Sequence, residues 1–146
     1  MFQQVIRVYT LSSNQFEEIA AWVDSGSTYT WLPSSLLQRL GVQPTAQREF
    51  MLADGTRLHR GIAQARLQLA DESFYSYCVF GDDNSQALLG AVALEEAGLG
   101  VDPVNRRLVA VPGYALTAIE NPQTGRLRNT CLVVGARARE NSWARE

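Results

Sequence analysis

The stretch Trp22-Val23-Asp24-Ser25-Gly26-Ser27-Thr28 decides how the rest of the chain reads. Its acidic residue directly follows the apolar, strand-like run Glu18 to Val23 and precedes a hydroxyl and a glycine, so it stands where a strand gives way to a loop. A carboxylate at such a strand end is partly withdrawn from water, and the glycine lets another backbone approach closely. Both suit acid and base chemistry. The competing reading, which these seven residues alone favour, is a turn in which Asp24 caps its own backbone.

Working outward, Gln4 to Thr10 and Glu18 to Val23 are β-rich runs separated by the polar Ser12-Ser13-Asn14-Gln15, which predicts a hairpin. Beyond the Asp24 loop, Trp31 and Leu32 read as buried core. Pro33-Ser34-Ser35 can start a two-turn helix whose apolar face is Leu36, Leu37 and Leu40 and which stops at Gly41. From Arg48 to Leu69 the chain forms two extended arms about Asp54-Gly55, a dipeptide that favours a tight hairpin turn because both positions tolerate positive φ. The far arm, Ile62 to Leu69, alternates apolar and polar residues as a half-buried strand does. Phe74 to Phe80 is a further strand, and Gly81 to Asn84 a loop. Leu88-Leu89-Gly90 then leads into a short helix over Ala91 to Ala97, closed by Gly98. Leu99 to Asp102 and Arg107 to Val111 make a last hairpin about Pro103-Val104-Asn105-Arg106. There is no internal repeat.

After Pro112 the pattern weakens. Asn121-Pro122-Gln123-Thr124-Gly125 is a turn signal that permits an extra hairpin, and the charged run Ala136 to Glu146 reads as a solvated tail. Many short strands with two brief helices predict a mostly β fold: one small, closed, barrel-like lobe over residues 1–113 with a flap hairpin, followed by a C-terminal extension over residues 114–146.

Composition removes several function classes. The chain has 146 residues, 46% of them hydrophobic, which suits one buried core. Thirteen basic against fifteen acidic side chains give a net charge of −2, no field that gathers nucleic acid or an anionic membrane. No segment approaches the roughly 20 apolar residues of a membrane span, and no secretory leader is evident, so the expected location is the cytoplasm. Cys78 and Cys131 are expected as free thiols, and one histidine, His59, without paired-ligand spacing argues against a metal site. No cofactor is implied, since glycine-rich phosphate cradles are absent.

Two carboxylates about 3 Å apart cannot both ionise, so they share a proton; the ionised one activates water while the protonated one polarises a carbonyl. This chemistry needs two aspartates in matching loops, and the chain offers one. Asp54-Gly55-Thr56 has its glycine in the wrong place and lies at a hairpin tip. A two-fold axis between identical subunits brings identical loops together, so a lone Asp24 becomes a pair on homodimerisation.

Val23-Asp24-Ser25-Gly26-Ser27 resembles the catalytic signature of the retropepsin-like aspartic proteases, an apolar residue followed by Asp, Ser or Thr, Gly and a small residue. The resemblance extends along the chain. Gly55-Thr56-Arg57-Leu58-His59-Arg60-Gly61 is similar to the flap of cellular members such as the DNA-damage-inducible ubiquitin-linked proteases. Leu88-Leu89-Gly90 resembles the second family motif, which packs beneath the catalytic loop, and Leu94 to Asp102 with Leu108-Val109 resembles the helix and hairpin that follow. The match runs from Val5 to about Val111. It implies an acid-protease lobe acting as a homodimeric aspartic endopeptidase on peptide or protein substrates.

Carried over by that resemblance, Asp24 is the catalytic aspartate, Ser25 braces the loops across the dimer axis, and Gly26 accepts close approach of substrate. Trp22, on the same strand face as Asp24 if the strand stays regular, and Leu88 become candidate pocket walls, with Ser27 and Thr28 beside the carboxylate. Leu52 to Arg60 form the flap that covers an extended peptide, with Leu52, Ala53, Asp54, Gly55 and Thr56 as its substrate-binding residues; Leu89 and Gly90 are the structural motif. Activity is expected to favour mildly acidic pH, since a doubly ionised pair loses its acid.

The departures are coherent. Viral members carry two acidic residues after the signature's small residue and a basic residue after the second-motif glycine; here these positions are Thr28, Tyr29 and Ala91. An ion pair is missing from both sides together, which places the chain with cellular or bacterial relatives. The interleaved chain ends that seal viral dimers have no counterpart in the resemblance, which does not reach the extension after Gly113. Two other readings stay open: a dimeric peptide-binding module without turnover, and a purely structural dimerisation domain. A serine triad through His59 finds no nucleophile elbow. His59, Asp82-Asp83 and Glu95-Glu96 read as solvated positions.

Overall fold

The computed structural model describes residues 1–112, 114–120 and 127–133. The fold is mostly β. Its chain order is β1 (Gln3–Tyr9), β2 (Phe16–Val23), β3 (Thr30–Pro33), α1 (Ser34–Arg39), β4 (Ala46–Met51), β5 (Arg57–Leu69), β6 (Glu72–Gly81), β7 (Leu88–Leu89), α2 (Ala91–Glu96), β8 (Leu99–Asp102), β9 (Arg107–Ala110), β10 (Tyr114–Glu120) and β11 (Leu127–Val133). Two compact units result, Met1–Val109 and Ala110–Glu146.

The first unit is built on a seven-stranded sheet in the order β1-β2-β7-β3-β6-β5-β4. A further β1–β5 pairing, Arg7 with Gln68 and Val8 with Leu67, turns it into a ring. The barrel-like lobe is a ring and not a clean barrel: it closes through two residue pairs, β4 hangs outside it on β5, and β2–β7 and β3–β6 run parallel among antiparallel neighbours.

Alternation explains the strands. In β1, Ile6 and Val8 turn inward, while Arg7 turns out to meet Glu18 of β2 at 2.9 Å. Ala63, Ala65, Leu67 and Leu69 of β5 join them in one core with Leu32, Leu36, Leu37, Leu89 and Leu94. Leu36 and Leu37 bury the apolar face of α1 as the sequence predicts. That helix has no side-chain cap from its N-cap residue, Pro33. The carboxylate of Asp83 supplies one from the loop after β6, accepting the Ser35 amide at 2.8 Å. Asp83 is therefore more than a solvated loop residue, because an orphan helix N–H needs an acceptor.

The β4–β5 hairpin departs from the expected turn. Leu52 O accepts the Gly55 amide at 2.9 Å, Thr56 O accepts the Leu52 amide at 2.8 Å, and positive φ occurs at Gly55 (84°) but not at Asp54. The loop is thus longer than two residues, a turn followed by one left-handed residue. Asp54 instead uses its side chain, accepting the Thr56 amide at 2.8 Å.

In the second unit, β10 and β11 pair antiparallel over seven residues, Tyr114 with Val133 through Glu120 with Leu127. The turn signal Asn121 to Gly125 and the charged run Ala136 to Glu146 lie outside the described residues. Among the described residues no helix is long and apolar enough to cross a membrane.

Candidate active site

Asp24 stands one residue past the end of β2, where the chain leaves regular strand geometry. Its loop is clamped from below. The Asp24 amide donates to Leu89 O at 3.0 Å, the amides of Ala91 and Val92 donate to Ser27 O (2.7 Å) and Thr28 O (3.1 Å), and Gly90 N–H donates to the hydroxyl of buried Thr30 at 3.1 Å. Leu88-Leu89-Gly90 and the start of α2 therefore fix the loop from below, by three backbone bonds and one to the Thr30 hydroxyl.

Within the loop, Gly26 N–H donates to Asp24 Oδ1 at 3.0 Å, Ser27 N–H to Asp24 O at 3.1 Å, and Ser27 Oγ to Tyr29 O at 2.9 Å. The self-capping turn is thus present. It engages one carboxylate oxygen and leaves Oδ2 without a hydrogen bond among the described residues. The two readings of the motif are compatible: the turn holds the carboxylate by one oxygen and presents the other.

The half-buried Asp24 opens into a cleft of about 460 Å³. One side is Asp24, Gly26, Ser27, Thr28 and Leu88; the other is the hairpin arm and tip, Phe50, Met51, Leu52 and Ala53, with Tyr29 and Trp31 between. Phe50 packs edge-on against Trp31 at 5.1 Å and Tyr29 at 6.1 Å between ring centroids. Asp24 is the only titratable carboxylate in this lining. Among the described residues no three His, Cys, Asp or Glu side chains gather as metal ligands.

Of the residues singled out from sequence, Asp24, Gly26, Ser27, Thr28, Leu52, Ala53 and Leu88 border the cleft, and Leu89 and Gly90 lie beneath the loop. Ser25 is exposed beside it. Asp54, Gly55 and Thr56, at the hairpin tip, are not part of the lining. Trp22 is absent from it as well, because β2 ends at Val23 and the two-residue alternation does not extend to Asp24. The half-buried Trp22 pairs with Leu88 and Gln3, and its indole N–H is buried without an acceptor among the described residues.

Tyr29, Trp31, Phe50 and Met51 are the additions. Trp31, read as core, is half-buried: it pairs with Val79 of β6 on one side, but on the other its neighbour is only the two-residue β7, with Leu88 opposite it. Two aromatic residues at alternate positions, Tyr29 and Trp31, with Phe50 before the hairpin tip, were the available signal.

Around the hairpin, Arg57 and His59 meet Glu49 at 2.9 and 3.5 Å, and Arg60 meets Asp82 at 3.2 Å. Arg48 donates to the Tyr29 hydroxyl at 2.7 Å, its guanidinium lying 5.4 Å from the Tyr29 ring centre. The bond to Thr56 holds the Asp54 carboxyl below the usual carboxylate range.

The aspartyl protease family model matches residues 10–92, which spans β2, the Asp24 loop, the hairpin and the Leu88-Leu89-Gly90 segment. The chain belongs to that aspartyl protease family. Among solved structures it is similar to the solution structure of the simian foamy virus (mac) protease, with 13% identity over 64% of this chain and 91% of that one and a TM-score of 0.47. The foamy viral protease-reverse transcriptase in complex with an RNA/DNA hybrid matches at 11% identity over 72% of this chain and 14% of that one, with a TM-score of 0.49. No curated protein matches the chain.

Proposed function

We propose that the chain is an aspartic endopeptidase that works as a homodimer, with Asp24 of each subunit forming the catalytic pair. The observation that carries this reading is a single carboxylate with one uncommitted oxygen, held by backbone bonds in a cleft that a hairpin borders. A symmetric pair needs one such group per subunit.

The ionised carboxylate takes a proton from water as the water oxygen attacks the scissile carbonyl carbon. The protonated carboxyl gives its proton to the carbonyl oxygen. Collapse of the resulting diol breaks the C–N bond, and the leaving nitrogen receives a proton from the pair. Ser25, exposed beside Asp24, braces the two loops across the axis. The β4–β5 hairpin acts as the flap, with extended substrate pairing to its backbone. Tyr29, Trp31, Phe50 and Leu88 give the cleft apolar walls for substrate side chains.

The test is cleavage of a diverse peptide library from pH 3 to pH 8 at concentrations that populate a dimer. Cuts made by the wild type and lost in Asp24→Asn establish the activity; cuts that persist in Asp24→Asn exclude it. A peptide-binding module without turnover is the second reading, favoured by the one carboxylate that each cleft contains. It predicts saturable binding, unaffected by Asp24→Asn, and no cuts at any pH.

A further inference from the structure

Arg48 differs from the other cations near the cleft. Arg57 and Arg60 are each committed to a carboxylate, Glu49 and Asp82. Arg48 has no carboxylate within ion-pair distance among the described residues, and its one side-chain hydrogen bond goes to a neutral phenol. It lies two residues before Phe50 on β4, so the two share a strand face. Phe50 lines the cleft, and so does Tyr29, whose hydroxyl Arg48 bonds and whose ring centre lies 5.4 Å from the guanidinium. The guanidinium thus lies beside the cleft wall without a carboxylate in ion-pair contact among the described residues.

An exposed arginine normally samples many rotamers, and ordering it on a ligand costs free energy. Here the bond to the Tyr29 hydroxyl offsets part of that cost by holding one arm of the guanidinium. The fork keeps donors that the phenol does not use, and such a fork matches a carboxylate in two-point geometry. From these relations, and on the reading of the cleft as a peptide site, we infer that Arg48 is a specificity residue: it selects peptides carrying a Glu or Asp side chain at the subsite beside Tyr29 and Phe50, with Tyr29 as its positioning residue. The apolar walls take the neighbouring side chains. The acidic side chain reaches the rim, where partial exposure limits the gain to about tenfold.

The experiment uses the full chain and pairs of peptides built on the best sequence from a random octapeptide library, identical except for Glu or Gln at each position in turn. Two readouts run together: kcat/KM with the wild type, and binding of labelled peptides to the Asp24→Asn protein, which reports recognition whether or not turnover exists. At one position the Glu peptide is expected to be favoured about tenfold. Arg48→Gln should collapse that ratio to near one, Tyr29→Phe should reduce it, and Arg48→Glu should favour a Lys peptide at the same position.

A ratio near one at every position in the wild type, or a Glu preference that survives Arg48→Gln, overturns the inference. A Glu preference in binding without any cleavage sustains it while sinking the peptidase reading. Cleavage without the preference does the reverse.

Discussion

Gly90 passes so close to Tyr29 that a Cβ built on Gly90 would lie 2.5 Å from both the carbonyl carbon and the carbonyl oxygen of Tyr29, and 2.9 Å from Ser27 O. All three atoms are backbone of the loop that carries Asp24, so no side chain can swing aside. Gly90→Ala must push the loop and the start of α2 apart and stretch the bonds from Ala91 and Val92 to Ser27 and Thr28. The expected cost is about 1–3 kcal/mol, as for other forced overpacking, read as a lower urea midpoint, and on the peptidase reading cleavage is lost even where the protein stays folded. A variant of wild-type stability would mean that the contact relaxes freely.

The same loop rests on Thr30, which is 1% exposed and accepts the Gly90 amide at 3.1 Å. Thr30→Val keeps the shape and removes the acceptor, leaving a buried N–H unpaired, which costs about 1–3 kcal/mol. Thr30→Ser keeps the hydroxyl and should retain most of the bond. Urea unfolding of the two variants separates the hydrogen bond from the packing; a loss in Thr30→Ser as large as that in Thr30→Val would show that the bond to the hydroxyl is not what distinguishes the site.

Local signals in the sequence were enough for β1, β2, the far arm of β5 and α1, because alternation and the 3.6-residue period record which face is buried. They were enough for the Asp24 loop because a polar Asp-Ser-Gly run after apolar Trp22-Val23 cannot continue a core strand. What they could not carry depends on neighbours brought together by the fold. Trp31 reads as core by type, and becomes a cleft wall because β7 beside it is two residues long. Trp22 was placed by an alternation that stops at Val23. Asp83 looks like one more acidic loop residue until α1, 48 positions away at Ser35, lacks a cap of its own. The turn at Asp54-Gly55 differs because the Asp54 side chain, bonding Thr56, competes with the left-handed backbone its type tolerates.

That cap makes a pH prediction. The Asp83 carboxyl is held below its ordinary 3.8, first by the backbone bond from Ser35 and also by the charge of Arg39. A folded value below the unfolded one means that the stabilisation is complete above about pH 4. It fades as pH falls through the lower, folded value. Asp102, bonded to Asn105, and Asp54 are lowered in the same direction, so the wild type should lose stability steadily below pH 4. Asp83→Ala should be less stable at neutral pH and lose less than the wild type on acidification. Urea midpoints measured from pH 7 to pH 2.5 check this, and parallel curves for the two proteins would show that the cap carries no such dependence.

Cys78 makes the last prediction. It stands on β6 between Ala63 of β5 and Thr30 of β3, its side chain is fully buried, and burial pushes the thiol up from 9.0 to about 12. The thiolate is the reactive form, so at pH 8 the native protein presents neither an accessible nor an ionised nucleophile at this position. In a Cys131→Ser background, a maleimide or iodoacetamide should label Cys78 only as fast as the domain opens. The labelling rate should rise with urea along the unfolding curve and fall with any change that stabilises the core. Rapid labelling without urea, at a rate that does not follow global stability, would instead show that the β5–β6 pair opens locally and exposes the thiol without unfolding of the domain.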